Sequence, residues 1–105
     1  MTAATELIKG ISPDYALRLI AEESSELSQA ALKVIRAAND ETPMSMGEAR
    51  ENLVEEVADV LVMICILKLM LFTEIEAYDI EQTMDRKFDR FTDRLMEKAK
   101  KGPAQ

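Results

Sequence analysis

The chain of 105 residues has no His, no Trp and a single Cys, and only three Gly and three Pro. One Cys cannot form an internal disulfide, and we see no signal-peptide pattern at the N-terminus, so we expect a protein of the reducing cytoplasm. Without His, any metal site must be built from oxygen ligands. Carboxylates favour Mg²⁺, Mn²⁺ or Ca²⁺ over zinc.

Positive charge is in the minority, because 20 acids stand against 13 bases and the formal net charge is −7. An acidic surface without a localised basic patch argues against duplex nucleic acid or an anionic membrane as the partner. A small phosphorylated substrate stays compatible with this net charge, since a bound divalent metal makes the local charge of the protein positive. The longest apolar run, residues 57–71, is shorter than the roughly 20 residues that span a bilayer, and it contains Asp59 and Lys68.

Residues that favour helices dominate, and no alternating strand pattern occurs between turn residues, so the sequence predicts an all-α fold. We expect one domain over residues 1–105, with a short helix that ends at Gly10 and three long helices over about 13–38, 45–72 and 73–100. Short connections predict antiparallel packing of the three long helices in a bundle. Helix starts are indicated by Ser12-Pro13 and by two capping patterns, Ser45-x-x-Glu48 and Thr73-x-x-Glu76.

The second long helix is the most apolar part of the chain. On a helical wheel, residues 57–72 place large apolar side chains on every side, which is typical of a helix that is buried all round. A chain this short has little core of its own, so we expect burial against a second copy, in a homodimer or homotetramer. Cys65 is interpreted as a core residue.

Two pairs of carboxylates face the predicted interior. Glu56 and Asp59 lie about 60° apart around the helix at the start of the apolar run, where water should be scarce. Glu23 falls inside the apolar arc of the first long helix, and Glu26 lies at its edge one turn further on. An unpaired buried carboxylate costs several kcal/mol, so such groups are protonated, paired with a cation or bound to a metal.

Four oxygen donors on rigid helices can hold one or more Mg²⁺ ions, which keep some of their waters and bind phosphate oxygens. This arrangement suits phosphoryl chemistry. A basic segment on the last helix follows the two acidic pairs, although its Lys and Arg side chains alternate with acids at helical spacing and are equally consistent with a salt-bridged surface.

Three segments follow one another along the chain: Glu22-Glu23-Ser24-Ser25-Glu26-Leu27, Glu55-Glu56-Val57-Ala58-Asp59-Val60-Leu61 and Lys87-Phe88-Asp89-Arg90-Phe91. Their order resembles the EExxEL, ExxD and Lys-Phe-x-Arg segments of the MazG-like nucleotide pyrophosphohydrolases. The resemblance spans roughly residues 13–95, which is most of the chain.

The resemblance implies an all-α fold related to the dimeric dUTPases, and a homodimer or homotetramer that hydrolyses nucleoside triphosphates to the monophosphate and pyrophosphate. It implies Mg²⁺ as the cofactor, with Mn²⁺ as a substitute. The metal ligands would be Glu23, Glu26, Glu56 and Asp59. Glu23 would also orient or deprotonate the attacking water, and Lys87 and Arg90 would bind the substrate phosphates.

Two other interpretations stay open. The chain could be a non-catalytic helical oligomerisation module, whose buried acids pair with Lys or Arg of a neighbouring subunit. It could also keep the fold with a different substrate, such as phosphoribosyl-ATP or a nucleoside diphosphate. The base and sugar preference depends on pocket shape, which the sequence does not give.

Overall fold

The computed structural model describes residues 3–102, with side chains throughout except at positions 4 and 5. This range contains four helices and no strand: α1 (Ala3–Lys9), α2 (Pro13–Ala38), α3 (Met46–Met70) and α4 (Glu74–Lys100). The predicted all-α class is confirmed. The start predicted for the first helix, Thr2, lies outside the described residues.

Short polar side chains begin the long helices where the sequence predicted. Ser12 accepts a hydrogen bond from the backbone N–H of Tyr15 at 3.2 Å, and Pro13 occupies the first position of α2. Pro is well placed there because the first amides of a helix have no intrahelical carbonyl partner. Before α2, the amide of Gly10 ends α1 by donating to the carbonyls of Glu6 and Leu7.

α2 ends in a Schellman motif. The amide of Glu41 donates to the carbonyl of Arg36 at 2.9 Å, and that of Asp40 donates to the carbonyl of Ala37 at 3.3 Å. Asp40 has a φ of 54°, in the left-handed region that the motif requires and that Asp tolerates better than most residues. The connection to α3 therefore begins with a defined reversal of the chain.

Ser45 and Thr73 begin the last two helices in different ways. The predicted capping box of Thr73 and Glu76 is confirmed with both reciprocal bonds, at 3.1 and 3.0 Å. Ser45 accepts from the Glu48 amide, but its hydroxyl also donates to the Glu48 carboxylate, so only half of that predicted box is present. α3 ends at Met70, two residues earlier than predicted.

The chain divides into two compact units, the first ending at Leu71 and the second beginning at Phe72. In the first unit α2 and α3 form the main packing contact, and α1 also contacts α3. Its buried residues are few and mostly small: Ala16, Ala30, Ala49, Met63 and Leu67. Small side chains at the centre of a contact allow two helices to approach closely.

Only one face of α3 is buried within the chain, so α3 is not covered on all sides by its own unit. Val57, Leu61 and Ile64 are exposed by 40%, 56% and 37%. Cys65 is exposed too, which corrects its interpretation as a core residue. A helix with two apolar faces needs two partners to bury both, and α2 supplies one.

The second unit consists mainly of α4, which has no buried residue. Its apolar side chains follow helical spacing, as predicted, and the large aromatic ones, Phe88 and Phe91, are exposed by 66% and 59%. None of the described helices combines the length and the apolar character that a membrane span requires. The prediction that residues 57–71 do not form a membrane helix is thus confirmed.

Candidate functional site

Glu23 lies on the face of α2 that packs against α3. It is half-buried, and its helical neighbours Ile20 and Leu27 are half-buried on the same face. The Oε2 atom of Glu23 is inaccessible to solvent and has no hydrogen-bond partner. Buried carboxylate oxygens normally accept hydrogen bonds, so an orphaned one needs a proton, a cation or a metal.

Glu56 occupies the equivalent place on α3. It is half-buried, and its Oε2 atom is likewise inaccessible and unpartnered. Each of the two residues lies ten positions after the start of its helix, so neither is near a helix N-terminus whose dipole would favour a negative charge. Two orphaned oxygens therefore meet in the interface between the same pair of helices.

Asp59 completes a group of three carboxylates. One oxygen each from Glu23, Glu56 and Asp59 lies within 4.8 Å of the other two. Asp59 itself is exposed, which corrects the expectation that it lies where water is scarce. It is one turn after Glu56 and at the edge of the contact face, so its carboxylate reaches the group while one side remains open to solvent.

Glu26 is exposed and lies outside this group of three. Its negative charge nevertheless raises the pKa of both Glu23 and Glu56. The carboxyl group of Glu56 lies within hydrogen-bond reach of Glu26, and that of Glu23 lies within reach of Asp59. Along the two helices, Glu26 thus lies beside Glu56, and Glu23 lies beside Asp59. This reversed order is the register of antiparallel helices, as predicted for α2 and α3.

Burial raises the pKa of both Glu23 and Glu56 above the ordinary glutamate value. The negative charges of the surrounding carboxylates raise both pKa values further: Glu26 and Asp59 act on each, and each has one further acid beside it. The two ion pairs of the described helices, Arg18–Asp14 and Lys100–Glu97, involve none of these acids. The cluster is consequently an arrangement of like charges that a divalent cation would stabilise.

A cleft of about 210 Å³ adjoins the cluster on its Asp59 side. Glu23 and Asp59 line it together with three apolar residues that the sequence analysis did not single out: Leu19, Val62 and Met63. A signal for two of them exists in the sequence, because Leu19 is one turn before Glu23 and Met63 is one turn after Asp59. Residues four apart on a helix share a face, so both belong beside the acids.

Lys87 and Arg90 lie three residues apart on α4, which makes them neighbours on the surface of that helix. Both are exposed, and no ion pair of α4 described here engages either one. They belong to the second unit, whereas the four carboxylates belong to the first. The structure thus brings three of the four predicted metal ligands together and, separately, the two predicted phosphate ligands.

Comparisons with protein-family models, with curated proteins and with solved structures found no match to this chain. The site is therefore defined by its own geometry: three carboxylates in mutual reach, a fourth beside them, two orphaned oxygens and a partly apolar cleft. The likeness to the MazG-like enzymes rests on the sequence motifs alone.

Proposed function

We propose that this chain is a Mg²⁺-dependent nucleoside triphosphate pyrophosphohydrolase, which converts a (d)NTP and water to the monophosphate and pyrophosphate. One observation carries the proposal. The Oε2 atoms of Glu23 and Glu56 are buried without hydrogen-bond partners, in a group whose third member, Asp59, opens to solvent. Orphaned oxygens beside an open edge are what a cation site with access for substrate requires.

The donor set fits a hard divalent cation, because every candidate ligand is a carboxylate oxygen. Glu23, Glu56 and Asp59 would hold the ion, with Glu26 as a fourth ligand or as a ligand of a second ion, and Mn²⁺ would substitute for Mg²⁺. When bound, the metal supplies positive charge that neutralises the triphosphate and the leaving pyrophosphate, and it makes a water more acidic.

The chain's own residues would then position the substrate and move one proton. Glu23 lines the cleft together with Asp59, so its carboxylate would be positioned to orient and deprotonate a water there. In the proposed reaction the bond between the α and β phosphates breaks, the water oxygen joins one of the two products, and Glu23 takes a proton of the water. Leu19, Val62 and Met63 would exclude bulk water from one side of the group.

Lys87 and Arg90 would bind the outer phosphates. Their exposure leaves both cations open to an anionic ligand, and the resemblance to the MazG-like enzymes assigns this role to their segment. The same resemblance makes the active form a homodimer or homotetramer. The exposed apolar face of α3 agrees with an oligomer, because covering it with a second copy would remove Val57, Leu61 and Ile64 from water.

That exposed apolar face also favours the second candidate, a non-catalytic oligomerisation module. In such a module the carboxylates would be neutralised by Lys or Arg of a neighbouring subunit instead of by a metal. The two candidates differ in their dependence on divalent cations. Only the enzyme binds Mg²⁺ and turns over nucleotide.

The test is incubation of the purified chain with each common NTP and dNTP and Mg²⁺, with nucleotides and pyrophosphate quantified. The Glu56→Gln, Asp59→Asn variant should give no product. Its control is Glu41→Gln, Glu51→Gln, which removes the same charge from exposed positions outside the acidic group and should keep activity. Phosphoribosyl-ATP and nucleoside diphosphates are tested in parallel, since their products differ.

Calorimetry with Mg²⁺ on the same samples separates the remaining outcomes. Binding to the parent but not to the double variant, without turnover, would retain the metal site and point to a substrate outside the panel. Absence of both binding and turnover would rule out the enzyme and leave the oligomerisation module.

A further inference from the structure

The charges of α4 are separated along its length, into two halves of opposite sign. Residues 74–85, here called the acidic half, contain no Lys or Arg and five acids: Glu74, Glu76, Asp79, Glu81 and Asp85. Residues 86–101, the basic half, contain three acids, Asp89, Asp93 and Glu97, against seven bases: Arg86, Lys87, Arg90, Arg94, Lys98, Lys100 and Lys101.

The helix's own dipole does not account for this separation. Acids at the N-terminus and bases at the C-terminus do complement the dipole, but that effect falls off within the first and last turn. Glu81, Asp85, Arg86 and Arg90 lie in the middle of a helix of 27 residues, far from either end. A partner of the opposite charge pattern explains the distribution along the whole helix.

An apolar stripe runs through both halves. It consists of residues at helical spacing, of which the first two are half-buried and the other four are exposed: Ala77, Ile80, Met84, Phe88, Phe91 and Leu95. Met84 and Leu95 are exposed by 48% and 52%, and the two Phe residues by more. Such a stripe is the contact surface of a helix pair, and the charges on either side of it select the partner and the direction of pairing.

The copy of α4 in a second chain has the required pattern only when it runs in the opposite direction. Parallel pairing would place acidic half against acidic half, and like charges in opposition cost free energy. Antiparallel pairing places the acidic half of each chain against the basic half of the other, so the two-fold symmetric pair contains two such contacts. A pair centred between Met84 and Phe88 sets these two residues opposite each other, and it also sets the small Ala77 opposite Leu95.

We propose that α4 forms an antiparallel pair with α4 of a second copy of this chain, acidic half against basic half, through the stripe from Ala77 to Leu95. The occupant of this surface is thus the chain itself. The pairing concerns the second unit alone and does not require the metal site, so the result of its test does not depend on the proposed reaction.

Charge reversal tests the pairing in the full-length chain by sedimentation equilibrium at low salt. One variant reverses three acids of the acidic half, Asp79→Lys, Glu81→Lys and Asp85→Lys. The other reverses three bases of the basic half, Arg86→Glu, Arg94→Glu and Lys98→Glu. Each alone should raise the dimer dissociation constant by about tenfold or more, because like charges then face each other.

Mixing the two variants should restore a dimer at least as tight as that of the parent. In the mixed dimer, the Lys side chains introduced in one variant face the Glu side chains introduced in the other. Circular dichroism checks that both remain helical. A parent that is monomeric at concentrations of about 0.1 mM, or variants that weaken association and do not recover on mixing, would overturn the proposal.

Disulfide trapping tests the direction, in a Cys65→Ser background. A mixture of the Ala77→Cys and Leu95→Cys chains should oxidise to a mixed dimer, and neither chain should do so alone, because 18 residues of helix separate the positions by about 27 Å. The matched control is a mixture of Asp79→Cys and Asp93→Cys chains, which have the same register on the polar side and should not cross-link. Dimers from the Ala77→Cys chain alone would indicate parallel pairing and overturn the proposal.

Discussion

Glu23 of α2 and Asp59 of α3 face each other across the helix pair, with one oxygen of each carboxylate within 4.8 Å of the other. They are 36 residues apart in sequence, and Glu56 lies within the same distance of both. The like charges of three acids this close oppose one another, and a bound cation or proton relieves that repulsion. The consequences of this relationship can be measured.

Divalent cations should stabilise the parent chain against heat. A ligand that binds only the folded state adds about 2.7 kcal/mol when present at 100 times its dissociation constant. Mg²⁺ should therefore raise the Tm, and EDTA should reverse the rise. The Glu56→Gln, Asp59→Asn variant should show no shift, and Glu41→Gln, Glu51→Gln should shift as the parent does. An equal response from both variants would place the metal elsewhere.

Without metal, Glu56→Gln should increase stability at neutral pH. The pKa of Glu56 in the folded chain is raised above its ordinary value of 4.5, so the folded state binds more protons than the unfolded state between these two values. The free energy of unfolding of the parent therefore falls as pH rises through that window, then stays level. Thermal melts in EDTA from pH 4 to 8 should show a smaller fall for the variant. A steeper fall would contradict the sign of the shift.

Ala30→Leu should destabilise the chain by about 1–3 kcal/mol, because extra methylenes enter a filled helix contact. Ala30 is 1% exposed and lies two turns after Glu23 on α2. The larger side chain should also weaken Mg²⁺ binding by separating the helices that carry the acids. Its control is Ala31→Leu at the next, exposed position, which should change the free energy of unfolding by less than about 0.5 kcal/mol. Urea titration and calorimetry measure both effects.

Lys87→Ala and Arg90→Ala should each lower kcat/KM for the nucleotide, by roughly 10- to 100-fold, through loss of a charged hydrogen bond to phosphate. Neither should change the Mg²⁺-dependent rise in Tm, since the carboxylates are intact. Lys100→Ala, at the end of the same helix, serves as the control. Unchanged kinetics in both variants would mean that Lys87 and Arg90 do not bind the substrate and belong to an ordinary helical surface.

Asp40→Gly should stabilise the chain by up to about 1 kcal/mol. Asp40 holds a φ of 54°, which strains a residue with a Cβ and costs Gly nothing. Asp40→Ala should do the opposite, because Ala keeps the Cβ and lacks the polar side chain that makes Asp tolerant of this conformation. Chemical denaturation of the three proteins gives the order. A less stable Gly variant would mean that flexibility gained by the unfolded chain outweighs the relief of strain.

The helices could be predicted from the sequence because the capping residues that begin them are local sequence signals. Ser12 and Thr73 cap α2 and α4 at the predicted residues, and these signals act within one turn. The convergence of Glu23 with Glu56 was also predictable, since Glu23 falls inside the apolar arc of α2, Glu56 begins the apolar run of α3, and one loop joins the two helices.

The surroundings of the acids were harder to predict, because exposure depends on how far each residue lies from the line of contact. Asp59 and Glu56 differ by about 60° around α3, and that angle separates a solvent-exposed carboxylate from a half-buried one. The exposure of Cys65 has the same origin. Helical periodicity gives two apolar faces on α3, and it does not tell which of them α2 covers.

Glu23 and Glu56 lie in the middle of α2 and α3, ten residues from the start of each helix and fourteen or more from its end. Helix ends fray and reform rapidly, whereas central turns open only when the packed unit opens. The arrangement of the acids is therefore lost only when the helix pair opens, and not through the motion of a loop. Amide exchange at Glu23 and Glu56 should accordingly be among the slowest in the chain.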